Sequence, residues 1–111
     1  MKTFAQYSTT ILTGDSGDDY IFEIHALDAD LDAIAAVYAV TRTEDDEHVV
    51  LYLGHTGDLS DRFDGHHKSE CFDDNEADCL CLHRDENKRS RLRKEADLMI
   101  RYRPMCNGPK W

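Results

Sequence analysis

The stretch LYLGHTGDLSDRFDGHHK, residues 51–68, changes character twice. It starts as a β-rich run, breaks at Gly54-His55-Thr56-Gly57, and resumes after Asp58 with helical spacing. Asp58 is a good N-cap, and Asp61 places an acid in the first helical turn. The helix then carries Arg62 and His66 four residues apart, beside Leu59 and Phe63. A strand, a glycine turn and a short helix thus project an arginine and a histidine from one place in a strongly acidic chain.

Working outward, the first 26 residues read as a hairpin. Residues 3–12 are strand-like, 14–19 form a Gly/Asp/Ser turn, and residues 20–26 alternate Tyr20, Phe22 and Ile24 against Ile21, Glu23 and His25. Residues 27–35 make a connector or a single helical turn. Residues 36–41 and 48–53 are β-rich and flank an acidic turn at 43–47, which predicts a second hairpin. Residues 71–77 read as polar loop and 78–83 as a further core strand. The last helix is expected from Lys88 to Arg103, where Pro104 stops it. No repeat, low-complexity segment or interdomain linker interrupts residues 1–111, so one domain is expected, with 1–30 as a hairpin extension of a core at 36–107.

Composition narrows the function classes. Hydrophobic content of 41% with 32% charged residues fits a soluble globular domain. The longest apolar run, residues 34–40, is far too short to span a bilayer, and the first residues lack the apolar core of a signal peptide. No membrane partner and a cytoplasmic location are therefore expected. In that setting the four cysteines are expected as free thiols rather than a disulfide framework. Cys79, Cys81 and His83 alternate along one strand face, so a zinc site completed by Cys71 or Cys106 is a minor alternative.

Charge is uneven. Residues 1–83 hold 4 basic and 19 acidic side chains, whereas residues 84–111 hold 9 basic and 4 acidic ones. The overall −10 argues against whole-surface binding of nucleic acid. The basic C-terminal quarter can still make a local phosphate patch, although a solvated helix face is the plainer reading. The same acidic, lysine-poor surface would suit a salt-adapted organism.

The last helix contains an anomaly. Leu92, Ala96 and Met99 recur at i, i+4 and i+7 and predict the buried stripe. Glu95 falls on or beside it, where a carboxylate is unfavourable unless a cation or donor meets it. Taken alone, Glu95 is best read as a rim residue paired with Arg91; the competing reading makes it a metal ligand facing a cleft.

In order along the chain stand Ala36-Val37-Tyr38, Tyr52-Leu53-Gly54-His55, Arg62 with His66, Glu95, and Asn107. This set resembles the GIY-YIG nuclease domain over residues 36–107, and is closest to its small stand-alone members. The resemblance implies an α/β (α+β) architecture: a small central antiparallel three-stranded sheet flanked by helices. It also implies metal-dependent endonuclease activity on DNA bound locally at a cleft, with Mg2+ or Mn2+. By the same resemblance, Glu95 matches the metal-binding glutamate and Arg62 the phosphate-contacting arginine. Tyr38 and Tyr52 match the paired tyrosines, one of which helps deprotonate the attacking water. His66 stands where relatives carry a tyrosine or histidine, and Asn107 matches a mainly structural asparagine.

The chemistry is coherent from the residues upward. A guanidinium and a metal neutralise phosphoryl oxygens, one carboxylate suffices to hold a largely hydrated Mg2+, and histidine exchanges protons near neutral pH. Two departures stand out. Ala36 replaces a glycine, and His55 replaces a lysine found in several family enzymes, so attraction of substrate becomes pH-dependent. Without the ordered set, Tyr38 and Tyr52 read as core aromatics, and His66-His67 as a C-terminal pair favoured by the helix dipole. The rival functions are a binding module on a catalytically weak scaffold and a zinc-stabilised structural protein.

Overall fold

The computed structural model describes residues 8–29, 31, 33–62 and 68–108, with side chains at all of these except Asp61 and Arg62. Strands β1 (Thr9–Thr13), β2 (Asp19–Ala26), β3 (Ala36–Glu44), β4 (Glu47–Thr56) and β5 (Cys79–Arg84) form one sheet in the order β1-β2-β5-β3-β4. Every neighbouring pair is antiparallel. The helices are α1 (Leu59–Arg62), α2 (Ser69–Asp74) and α3 (Lys88–Tyr102), followed by a 3-10 turn at Met105–Asn107.

The expected α+β class and the antiparallel β3–β4–β5 core hold, but the sheet has five strands rather than three. The N-terminal hairpin is part of the sheet, because β2 pairs with β5 from Glu23↔Leu82 to Ala26↔Cys79. Its inner face buries Leu12, Tyr20 and Phe22, while the cross-strand partners Ile11 and Ile21 face outward, 56% and 60% exposed.

The sheet separates two cores. One packs Tyr38, Val40, Leu51, Tyr52, Leu80 and Leu82 with Leu59 and Phe72 from α1 and α2. The other packs Val37, Ala39, Leu53 and Cys81 with Leu12, Phe22 and Leu98 of α3. Leu51 and Tyr52 are consecutive yet share a core. The register steps from Val40↔Tyr52 to Thr41↔Val50, which leaves Leu51 as an extra residue in a β-bulge. The β3–β4 turn puts Asp45 and Asp46 at positive φ, 52° and 67°, a conformation that Asp tolerates better than most residues.

Two expectations fail on this side of the sheet. Residues 71–77 are not wholly loop, since α2 occupies Ser69–Asp74 and buries Phe72. The cysteines are not all free: Cys71 of α2 is disulfide-bonded to Cys106, 35 residues away. Both cysteines lie in the first core, and their Cα atoms are 5.9 Å apart, within the reach of an S–S bridge. Next to Cys106, the Asn107 side chain accepts a hydrogen bond from Leu53 N at 2.9 Å and donates one to Leu53 O at 2.9 Å.

Helix α3 is capped by Asn87, whose side chain accepts from Ser90 N at 2.8 Å, and ends at Arg103 in the left-handed region before Pro104. It lies against β4 and β3 and reaches β1. Asp97 fastens it to the N-terminal hairpin. Its carboxylate accepts from Ser16 N at 2.8 Å, Ser16 Oγ at 2.7 Å and Tyr20 Oη at 2.7 Å. Gly14 is required there, because a Cβ would overlap that carboxylate. Hydrogen bonds from Tyr20 and Ser16 hold Asp97 below the ordinary aspartate range, while burial, reinforced by Asp97, pushes Tyr20 up to about 12.

A candidate site at the end of the β3–β4 hairpin

Tyr38 and Gly54 are cross-strand partners in β3 and β4. A Cβ on Gly54 would lie 2.6 Å from Tyr38 Cζ and 2.7 Å from its hydroxyl oxygen, so the ring lies across the glycine. Any larger residue at position 54 would displace it. Tyr52 shares this face, its ring centroid 6.1 Å from that of Tyr38 and 5.7 Å from that of Phe72. Both tyrosines are buried, at 0% and 8% exposure.

The next residue along β4, His55, points to the opposite face, as strand alternation requires. Its register partner is Val37, in the core that α3 covers. There its Nε2 lies 3.8 Å from Glu95 Oε1, with both side chains partly exposed. The structure thus makes two pairs, Tyr38 with Tyr52 and His55 with Glu95, which lie on opposite faces of the sheet at the adjacent residues Gly54 and His55. Arg62 ends α1 in the described backbone; its side chain and the whole of His66 lie outside the described residues. Asp58 accepts from Ser60 N at 3.1 Å, as expected of an N-cap.

The face of α3 that meets the sheet differs from the expected one. Leu92 is 43% exposed and Ala96 is also exposed, so the stripe of Leu92, Ala96 and Met99 is not the inner one. Arg91 and Leu98 are buried, and Glu95 and Tyr102 are half-buried. These four recur at i, i+4, i+7 and i+11, with an ionic N-terminal half and an apolar C-terminal half. Apolar periodicity alone chose the wrong face because two charged residues occupy the inner one. That spacing was the available signal for Arg91, which sequence reasoning had placed on the rim.

Arg91 is 6% exposed. Its Nη1 donates to the backbone oxygen of Asp85 at 3.0 Å, and its Nη2 stands 3.6 Å from where a Gly57 Cβ would be. Its Nε is buried and has no hydrogen-bond partner among the described residues. Lys94, on the same helix, reaches Asp85 Oδ2 at 3.0 Å and His83 Nε2 at 2.9 Å. Hydrogen bonding from Ser90, with Lys94 and the Asn87 N–H, holds the Asp85 carboxyl well below the usual range despite its burial.

The zinc alternative loses its fourth ligand to the disulfide, while Cys79 and Cys81 remain free thiols. His83 Nδ1 is 3.0 Å from Ile21 O while Nε2 meets Lys94, and Cys71 and Cys106 are joined to each other. Burial pushes the Cys81 thiol up to about 12. No cluster of three or more His, Cys, Asp or Glu arranged for a metal occurs among the described residues, and no helix among them is long and apolar enough to cross a membrane. A single-carboxylate Mg2+ site makes a smaller demand. Glu95, half-buried at the mouth of the hairpin, has the right donor for it, with water and phosphate oxygens supplying the remaining ligands. Comparison with protein-family models, curated proteins and solved structures found no match.

Proposed function

We propose that this chain is a divalent-metal-dependent endonuclease of the GIY-YIG type, hydrolysing phosphodiester bonds of DNA held locally at the end of the β3–β4 hairpin. The observation that carries the reading is the charged half of the α3 inner stripe. Glu95 faces His55 directly after Tyr52-Leu53-Gly54, at the one end of the helix where the buried stripe is not apolar. Glu95 would hold Mg2+ or Mn2+, which supplies charge neutralisation to the phosphoryl group. Arg62 is assigned to a nonbridging phosphate oxygen, with the bidentate geometry of a guanidinium. A water oxygen forms the new P–O bond, the bond to the leaving oxygen breaks, and that oxygen takes a proton. His55 and His66 are assigned to exchange such protons, as histidine does near neutral pH. Tyr52, with its neighbour Tyr38, is assigned to orienting the water.

A second reading is favoured by two observations. Tyr38 is 0% exposed, packed on Gly54, and the chain carries a net −10. Both suit a scaffold kept for binding, with weak or no cleavage. A cytoplasmic location remains part of the proposal, although the disulfide fits oxidising compartments better.

The test is cleavage of single-stranded, duplex and branched DNA with Mg2+ or Mn2+. Glu95→Gln keeps shape and helix propensity, so cleavage should fall by orders of magnitude while the melting temperature stays put. Arg62→Ala should match it in direction. Binding of these DNAs without cleavage by the wild type selects the scaffold reading. Wild-type cleavage rates in the double variant would refute the assigned site.

A further inference from the structure

Resting on the nuclease reading, we propose that Arg91 is a second phosphate-contacting residue, which seats a phosphate group beside the Gly57 turn, one helical turn from Glu95. A buried guanidinium is strongly unfavourable unless its charge and its donors are met. Among the described residues no carboxylate lies within ion-pair distance of Arg91. The nearby acid, Asp85, gives its carboxylate to Lys94 and only its backbone oxygen to Arg91. The contrast between the two cations on one helix is direct: among the described residues Lys94 is ion-paired and Arg91 is not.

The unmet side of Arg91 has a definite shape. With Nη1 committed to Asp85, the Nε–Nη2 edge remains, and two parallel N–H groups on one edge match two oxygens of a phosphate. Gly57 borders the Nη2 end of this edge, where a Cβ would stand 3.6 Å from Nη2, while Nε itself is buried. Glu95 follows Arg91 by four residues on the same stripe, so the seat adjoins the carboxylate assigned to the metal. A phosphate next to the one being cleaved would then be held by α3 itself. This adds to Arg62 a second local grip on substrate in an acidic chain.

The experiment uses the full chain in EDTA, where DNA stays intact. Anisotropy of a labelled single-stranded oligonucleotide and thermal shift with inorganic phosphate are read on wild type, Arg91→Met and Arg91→Lys. The Met variant should bind the oligonucleotide about tenfold more weakly or worse and lose the thermal response to phosphate. The Lys variant keeps charge but not the fork, and should fall between. Wild-type affinity and phosphate response in a folded Met variant would overturn the proposal. If the Met variant does not fold, the Lys variant decides it, and affinity equal to wild type is the overturning result. Failure of the wild type to respond to either probe also overturns it. The two readings fail separately. Normal binding by Arg91→Met in a protein whose cleavage needs Glu95 removes only the Arg91 seat. Lost phosphate binding in a protein that cleaves equally well as Glu95→Gln removes only the metal-site assignment.

Discussion

Asp97 and Arg91 are both charged, both belong to α3 and both turn toward the body of the domain, yet the fold treats them differently. Asp97 receives three hydrogen bonds from the N-terminal hairpin, and a glycine is reserved at position 14 to admit its carboxylate. Arg91 is more deeply buried and, among the described residues, its side chain donates to one backbone oxygen. A charge that the fold itself needs is surrounded by the fold's own donors. A charge that is buried and left half-met points to something the fold does not contain.

The comparison is most exposed at Asp97. Asp97→Ala leaves the hydroxyl of the buried Tyr20 without its acceptor, hands the exposed Ser16 N–H to water, and loosens the hairpin from α3. We expect a loss of about 2 kcal/mol, seen as a fall in melting temperature of roughly 5–10 °C. An unchanged melt would make Asp97 as dispensable to folding as a surface charge. Acid sharpens the same point. The folded Asp97 carboxyl is held below the aspartate range, so its contribution is complete above about pH 4 and is lost as pH falls through the folded value. Urea midpoints measured from neutral pH downward should therefore fall less steeply for Asp97→Asn than for wild type. Asp85, depressed by Ser90 and Lys94, supplies part of the slope that remains.

The smallest expected effect falls on Arg91. Replacing it by Met removes a half-met buried charge and one hydrogen bond, opposing terms that leave stability within about 1 kcal/mol of wild type. A loss matching that of Asp97→Ala would assign Arg91 to the fold and erase the contrast.

The parts of the fold that read correctly from sequence are those set by local pattern. The β3–β4 hairpin, β5 and the start of α3 at Lys88 announce themselves by alternation, acidic turn and cap. The parts that did not are set by distant partners. Nothing near residues 19–26 specifies that they pair with 79–84, and nothing near Cys71 specifies Cys106. Helix α2 escaped because Ser-Glu-Cys-Phe-Asp-Asp has a single buried residue, Phe72, and so no apolar period. At the site, Glu95 was legible as a carboxylate out of place. Arg91 was not, because an arginine four residues from a glutamate is read first as a surface pair.

Asn107 has one more consequence. Strand β4 is the outermost strand of the sheet at its end, and its peptide groups on that side would otherwise form a template for another chain. The Asn107 carboxamide imitates a neighbouring peptide and occupies both hydrogen-bonding groups of Leu53. A second molecule would have to displace Asn107 to pair with Leu53, between Tyr52 and Gly54. At that one residue the C-terminal turn does what a charged or covered edge does elsewhere: it takes the pairing groups that edge-to-edge contact would use.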